Sequence, residues 1–178
     1  MYFEMKGFIF ELFHLFLDFC LHLPISCFRK LMASIFLNKC GNGTQFCRHV
    51  HLISPHRITI GRNSFVNRSV VLDGRMGILI GDNTDIGEYT AVWSLEHDTQ
   101  SNSHSCMGGQ TIIGSNCWIA PHCIILPNVK IGDNVVVATG SVVTKDIPDN
   151  VVVAGVPAKI IKPRNITEKY QLKYKIYL

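Results

Sequence analysis

The sequence predicts a β protein built as a parallel β-helix, with helical segments before and after it. Aliphatic residues recur every six positions, as in Ile113, Ile119, Ile125 and Ile131. Glycine, asparagine and aspartate fall between them, as in the segment IGDNTDIG, and these residues favour turns. A period of six fits neither an α-helix nor an isolated hairpin, but it fits hexads that each form one short strand and one turn. Three hexads complete a triangular coil, and stacked coils bury a continuous aliphatic column.

Residues 1–40 are predicted to form an amphipathic helical segment ahead of the β-helix. Polar residues recur at steps of three or four in its first part, and they form one narrow stripe on a helix that is otherwise mostly Phe, Leu and Ile. The members of this polar stripe are Glu4, Gly7, Glu11, His14, Asp18 and His22. Pro24 is expected to end this helix, and a second short helix is expected over about residues 26–37.

The apolar N-terminus is interpreted as neither a signal peptide nor a membrane span. Glu11 and Asp18 lie within the helix, whereas a span needs about 20 residues with few or no charges. A signal peptide would need a small-residue cleavage site, which this segment lacks. Two alternatives stay open. The helix packs on its own protein or on a partner subunit, or residues 1–37 make peripheral contact with a membrane.

The β-helix domain is predicted over residues 41–165, with one long interruption. With three hexads per coil, Ile80 to His97 completes one coil and Ile113 opens the next. Residues 98–112 are therefore an inserted loop, and loops on rigid scaffolds often carry function. The remaining residues, 166–178, are basic and are predicted to form a short C-terminal helix or tail.

Composition excludes several classes of protein. The 178 residues suffice for one domain with a core, and a net charge of +4 is too small to indicate a nucleic-acid partner. The seven cysteines are odd in number and form no C-x-x-C pair, so neither a disulfide framework nor a thiolate zinc site is expected. We interpret them as reduced thiols in a cytoplasmic protein that needs no metal.

Three segments carry a family resemblance: IGDNTDIGEYTAVWSLEHD, IIGSNCWIAPHCIILPNVKIGDNVVVATGSVVTKDIP and VVAGVPAKIIK. Together they resemble the hexapeptide-repeat acyltransferases, in the branch that contains maltose, galactoside and nodulation-type O-acetyltransferases and capsule or exopolysaccharide acetyltransferases. The resemblance implies a left-handed β-helix, although crossovers are usually right-handed. It also implies transfer of an acetyl group from acetyl-CoA to a sugar hydroxyl, and a homotrimer with the CoA site between adjacent protomers.

The same resemblance implies that His97 is the general base. The catalytic histidine of the family stands just before such an insertion, and His97 matches it. Imidazole can take the proton of a hydroxyl as its oxygen attacks the thioester of acetyl-CoA. Glu96, Asp98 and Asp85 are candidates to orient the other ring nitrogen, and the sequence does not choose among them.

Further site residues follow from motif positions of the family. Asn67, Asp73 and Trp118 match positions that contact the acceptor or line its site. Small residues are expected to pass the pantetheine arm of CoA, and lysines suit the phosphates of its nucleotide end. The residues expected to bind CoA are Ala120, Pro121, Ala138, Thr139, Thr144, Lys145, Lys159 and Lys162.

Two departures from the family pattern bear on the acceptor. His97 is followed by Asp98, where galactoside and maltose acetyltransferases have proline, and the Phe-rich N-terminal helix also differs from theirs. An apolar helix suits an acceptor handled near a membrane. We therefore predict a glycan of the capsule, exopolysaccharide or another cell-surface polymer, modified in the cytoplasm at the inner face of the membrane.

Three rival functions remain as alternatives. Serine and antibiotic acetyltransferases share the repeat and the histidine. A γ-type carbonic anhydrase shares the fold and needs three histidines around a metal, for which the pair His51 and His56 is a candidate. A non-enzymatic β-helix scaffold would need neither the inserted loop nor the histidine.

Overall fold

The computed structural model describes residues 2–165 and residue 172, with side chains from residue 11 onward. Two helices come first, α1 (Tyr2–His22) and α2 (Ser26–Phe36), and a 3-10 turn spans Pro55–Arg57. Nineteen short strands follow among the described residues, numbered here in chain order. The predicted helical segment and the predicted β-helix are therefore both present, the former as two separate helices.

Successive strands join three parallel sheets in turn, so the chain winds as a three-sided β-helix. The first sheet contains β1 (Lys39–Cys40), β4 (Ile58–Ile60), β7 (Ile78–Ile80), β12 (Thr111–Ile113) and β15 (Lys130–Ile131). The second contains β2 (Gln45–Phe46), β5 (Phe65–Val66), β8 (Asp85–Ile86), β13 (Trp118–Ile119), β16 (Val136–Val137) and β18 (Val151–Ala154), with β19 (Lys159–Pro163) added antiparallel at its edge. The third contains β3 (His51–Ile53), β6 (Val71–Asp73), β9 (Ala91–Val92), β14 (Ile124–Ile125) and β17 (Val142–Val143).

The aliphatic residue of each hexad points into the β-helix. On the second sheet Val66, Ile86, Ile119 and Val137 are all fully buried. They stack directly on one another, because the strands that carry them pair in parallel with these residues in register. The predicted parallel β-helix is thus confirmed, while its left-handed sense stays a prediction.

Asparagines at one corner explain the turn signal in the sequence. Where the chain passes from the first sheet to the second, Asn63, Asn83, Asn116, Asn134 and Asn150 adopt positive φ angles of 52–59°. Asparagine tolerates this left-handed conformation better than most residues. The repeated Gly-x-Asn of the hexads therefore marks a stacked column of tight corners.

The two N-terminal helices close one end of the β-helix. Leu17 and Leu21 of α1 are fully buried in the same apolar cluster as Leu52 of the first coil. Arg29 of α2 is also buried, with 1% exposure, and it donates hydrogen bonds to the carbonyls of Phe46 (3.0 Å) and Leu23 (2.6 Å). Burial lowers the pKa of Arg29. The helices thereby shield the inward-facing side chains of the first coil from water.

Part of the polar stripe of α1 faces the β-helix, although Glu11 and His22 of that stripe are exposed. The Asp18 carboxylate lies 2.9 Å from Nδ1 of His51, and the rings of His22 and His49 meet edge to face with 4.1 Å between their centroids. Burial lowers the pKa of His14, which stands in the same stripe. Consequently part of the apolar surface of α1 points outward: Leu12, Leu15, Phe16 and Phe19 are 48–67% exposed.

Two predictions concern the ends of the chain. No helix in the described part of the chain is both long and apolar enough to cross a membrane. The predicted C-terminal helix over residues 166–178 lies outside the described residues, except for Leu172.

Candidate active site

The interruption of the repeat is a β-hairpin that leaves the β-helix between the third and first sheets. Its arms are β10 (Leu95–His97) and β11 (Cys106–Gly108), which pair antiparallel. The chain rejoins the first sheet at Thr111, whose register partner is Ile78. The excursion therefore begins at residue 95, before the predicted start at 98. The reason is that residues 95–97 pair with the returning arm instead of continuing the coil.

Local contacts fix the base of this hairpin. The Thr111 hydroxyl donates to the carbonyl of Trp93 (2.7 Å), which holds the outgoing and returning chain together. Gly108 lies so close to the backbone of Ser94 that any side chain there would clash with the Ser94 carbonyl. The glycine is thus required for close approach of the two arms.

His97 stands on the outgoing arm, exposed to solvent and opposite Cys106. Its Nδ1 lies 2.7 Å from the backbone carbonyl of His104. A carbonyl can only accept, so Nδ1 carries the hydrogen and Nε2 is left with its lone pair. This is the tautomer that a general base needs, with the basic nitrogen directed away from the hairpin tip.

The orienting group is thus a main-chain carbonyl and none of the three carboxylates considered from the sequence. Asp98 accepts the amide hydrogen of Gln100 (2.8 Å) within the hairpin tip. Asp85 accepts the side-chain amide of Asn67 (2.7 Å) on the second sheet. Glu96 neighbours His97 on β10, and successive side chains of a strand point to opposite sides.

The polar sequence of the tip serves to hold that carbonyl in place. The amide of Asp98 donates to Ser105 (2.8 Å), and the hydroxyl of Ser101 accepts from the amide of Ser105 (3.2 Å). His104 itself has a positive φ of 50° and donates its amide to Ser101 (3.2 Å). A serine-rich tip can thus be ordered by its own hydrogen bonds.

An ion pair between exposed Arg75 and buried Asp73 lies near the root of the hairpin that carries His97, and only Asp73 was identified from the sequence. Asp73 is fully buried, and it accepts hydrogen bonds from Nε and Nη2 of Arg75 (both 2.9 Å). The carboxylate raises the pKa of Arg75, and the Cys106 thiol is near enough to contribute to that increase. Cys106 Sγ in turn lies 4.0 Å from Nδ1 of His97. The sequence signal near Arg75 is the length of this coil: the register partners Ile60 and Ile80 are 20 residues apart, two more than three hexads.

The other two predicted acceptor residues lie on the second sheet. Asn67 donates to the carboxylate of Asp85 (2.7 Å) and to the carbonyl of Ile86 (2.9 Å). Trp118, 48% exposed, is the register partner of Asp85 on the next coil. Asn67 and Trp118 therefore both neighbour Asp85, whereas Asp73 and the hairpin that carries His97 lie at the far edge of the third sheet. One protomer does not unite the two pairs.

The residues predicted to bind CoA also lie in separate places on one protomer. Ala120, Pro121, Ala138 and Thr139 form the corner between the second and third sheets, where backbone amides of the alanines bond to the adjacent coil. Thr144 and Lys145 are exposed at the opposite edge of the third sheet, just after β17. Lys159 and Lys162 are exposed on β19, at the edge of the second sheet.

The γ-type carbonic anhydrase alternative has no ligand set in the part of the chain that the structure describes. No group of three His, Cys, Asp or Glu side chains there is placed to hold a metal ion. His51, one of the candidate ligands, contacts Asp18 of α1 instead.

The family follows from comparison with known proteins. The pattern described as "Bacterial transferase hexapeptide (six repeats)" matches residues 110–145. The acetyltransferase WcaF of Escherichia coli, assigned to colanic acid biosynthesis, is 31% identical over 140 residues, which cover 79% of this chain and 77% of that protein. The chain belongs to the hexapeptide-repeat transferase family. Membership confirms both the predicted family and the predicted class of enzyme, the acyltransferases.

Two further relatives carry names that bear on the substrate. Galactoside O-acetyltransferase of Escherichia coli is 39% identical over 117 residues, which are 64% of this chain but only 57% of that enzyme. A solved galactoside acetyltransferase in complex with coenzyme A superposes with a TM-score of 0.81 at 31% identity, covering 88% of this chain and 81% of that one. Both names are those of enzymes that act on sugars.

Proposed function

We propose that this protein transfers the acetyl group of acetyl-CoA to a sugar hydroxyl, in the biosynthesis of a capsule, exopolysaccharide or other surface glycan. The observation that carries the proposal is the 2.7 Å contact from His97 Nδ1 to the His104 carbonyl, which leaves Nε2 free to act as a base. The names of the relatives, with a sugar acceptor in one and colanic acid in another, support the acceptor class.

The reaction balances with His97 as the only proton carrier. Nε2 takes the hydroxyl proton while the hydroxyl oxygen attacks the thioester carbonyl carbon. The tetrahedral intermediate then collapses, the C–S bond breaks, and the imidazolium returns its proton to the departing CoA sulfur. The products are the acetyl ester and free CoA thiol, and no metal or redox group takes part.

Release of CoA thiol from acetyl-CoA is the direct test of this function. The protein is assayed against neutral sugars, glycan fragments, serine and chloramphenicol. We expect acceptor-dependent thiol release with sugars or glycan fragments. Release with serine or chloramphenicol alone would assign the protein to the corresponding alternative, and no release with any acceptor would support a scaffold.

We further propose that the working form is a homotrimer with a composite site. The support is the separation of site residues in one protomer, with His97 on one edge of the third sheet and Asn67 beyond the other. Apposed edges of two protomers would bring both sets to one cleft. Light scattering at micromolar protomer concentration is expected to give three times the mass of the 20.0 kDa chain. A monomer that retains activity would contradict this proposal.

The outward face of α1 suits contact with the inner surface of the cytoplasmic membrane. Its support is that Leu12, Leu15, Phe16 and Phe19 are exposed, while Asp18 of the polar stripe contacts His51 of the β-helix. Apolar side chains on a surface helix bind the headgroup boundary in proportion to the area they bury. This position would place the site beside a membrane-linked glycan acceptor.

Co-sedimentation with anionic phospholipid vesicles tests the membrane contact. We expect the wild type to sediment with vesicles and Phe16→Ser/Phe19→Ser to stay in solution with its helical signal intact. Leu17→Ser, in the buried face of the same helix, serves as the contrast because it should reduce stability instead. A wild type that never sediments, yet loses its trimer when Phe16 and Phe19 are changed, would show that a second copy covers this face.

A further inference from the structure

Arg75 is held as a rigid cationic group at the edge where His97 stands. The carboxylate of Asp73 is fully buried, and it fixes the guanidinium through Nε and Nη2. The backbone amide of Arg75 donates to the same carboxylate (3.2 Å). A guanidinium that is already fixed loses little conformational freedom when it binds a ligand. Asp73 is therefore a positioning residue for Arg75, and the side chain that reaches solvent is that of Arg75, 44% exposed.

The guanidinium retains donors for a ligand. Arginine offers five N–H donors, and Asp73 occupies one side of the fork. Nη1 donates to no group among the residues that the structure describes. The remaining donors of such a fork match the two oxygens of a carboxylate or phosphate.

The position of Arg75 connects it to the catalytic base. The turn that carries it is tied to the root of the hairpin, because the amide of Met76 donates to the Ser94 hydroxyl (2.8 Å). On the hairpin side, the sulfur of Cys106 lies 4.0 Å from His97 Nδ1, and it is near enough to Arg75 to contribute to the raised pKa of that guanidinium. Arg75 and His97 are therefore both neighbours of Cys106, at the edge of the β-helix where the hairpin leaves it.

The charges at this edge favour an anion. Arg57, from the coil before, is exposed and donates from Nη1 to the carbonyl of Arg75 (2.6 Å). Within the described residues Arg57 has no carboxylate partner, so it contributes a positive charge that Asp73 does not neutralise. Two guanidinium groups thus stand against one buried carboxylate.

We propose that Arg75 recognises an anionic group on the acceptor, so that the preferred acceptor is a sugar bearing a carboxylate or phosphate near the hydroxyl that is acetylated. This inference rests on the acetyl transfer proposed above and names the chemical class of its acceptor. A uronic acid and a sugar phosphate share the oxyanion that the fork binds, and they differ in how far it stands from the sugar ring.

The test compares a neutral sugar acceptor with two sugar acceptors that carry an anion at different positions. Thiol release from acetyl-CoA is measured with methyl β-D-glucopyranoside, with methyl β-D-glucuronide and with glucose 1-phosphate. We expect kcat/KM to be about 10-fold or more higher for at least one anionic acceptor, because a hydrogen-bonded charge pair gives that order of discrimination. The glucuronide and the phosphate separate the two sources of the anion.

Variants assign the preference to Arg75. Arg75→Gln is expected to bring the anionic-to-neutral ratio of kcat/KM close to one, while Arg75→Lys keeps part of it because the charge remains and the fork is lost. Asp73→Asn/Arg75→Gln removes both charges together, so it tests the same point without leaving a buried carboxylate unpaired. Arg62→Gln is the matched control, since Arg62 also donates from Nε and Nη2 to a carboxylate, that of Asp82, at a different corner.

The outcomes separate this inference from the proposed function. Equal use of neutral and anionic acceptors by the wild type would overturn the inference and leave the acetyltransferase intact. An anionic preference that survives in both Arg75→Gln and the double variant would also overturn it. Transfer to no sugar of any charge would instead reject the proposed function.

Discussion

Replacement of His97 by alanine is expected to lower acetyl transfer by about 10²–10⁴-fold, the usual contribution of a positioned general base. Affinity for acetyl-CoA should stay unchanged, because the residues expected to bind CoA are backbone groups and lysines that this substitution does not touch. The loss should therefore fall on kcat and not on the binding of acetyl-CoA. Steady-state kinetics with the best acceptor, together with calorimetric titration of CoA, measure the two quantities separately.

Two other histidines provide controls for this prediction. His104→Ala removes a ring 6.5 Å from that of His97 but keeps the backbone carbonyl that accepts from His97 Nδ1. His122→Ala removes a ring that stacks on Tyr89 at 5.0 Å, on the corner between the second and third sheets. Both variants should retain most of their turnover. If His104→Ala lowers turnover as much as His97→Ala does, or if His97→Ala keeps near-normal turnover, the base lies elsewhere.

The fold could be predicted from sequence because each hexad repeats the same local physics. Aliphatic residues such as Ile119 and Ile125 recur with the period of the coil, and asparagines such as Asn116 mark the corners. The repeat also resumes in register after the long interruption, since Ile113 pairs with Ile80 before it and with Ile131 after it. The periodic signal fails where the chain leaves the coil at the hairpin, and it is stretched by two residues in the earlier coils, as between Ile60 and Ile80.

The hairpin and the N-terminal helix depend on long-range contacts, which the six-residue repeat does not predict. Pairing of Leu95 with Gly108 depends on a long-range antiparallel contact, so a count of hexads placed the start of the insertion three residues too late. On α1, helical spacing placed Asp18 in a polar stripe. It could not show that Asp18 turns toward His51, because that contact joins residues 33 positions apart.

The sequence predicted which residues belong to the candidate site, but it did not predict which groups they contact. Motif positions indicated His97 and Asp73, but the partner of each is a feature of the folded chain. His97 bonds to a main-chain carbonyl, which has no signature in sequence. Asp73 was expected to meet the acceptor directly, and its burial against Arg75 depends on how a lengthened coil closes over it.

Replacement of Ile125 by alanine is expected to lower the free energy of unfolding by about 2–5 kcal/mol, as for other large-to-small changes in a packed core. Ile125 is fully buried and lies in register between Val92 and Val143. Its loss would open a cavity in a column whose rigid backbone cannot collapse to fill it. Chemical denaturation followed by circular dichroism gives the free energy of unfolding.

Ile124→Ala is the matched control, because it makes the same change one residue earlier in the same strand. Ile124 points outward and is 39% exposed, so its loss should cost at most about 1 kcal/mol. Repeating both measurements at two protein concentrations separates a loss of folding from a loss of association, since only association depends on protomer concentration. If both variants lose the same amount at both concentrations, the inward direction of the hexad's aliphatic residue is wrong at this coil. If only Ile125→Ala is strongly destabilised, adjacent residues of a two-residue strand point to opposite sides, one into the β-helix and one to solvent.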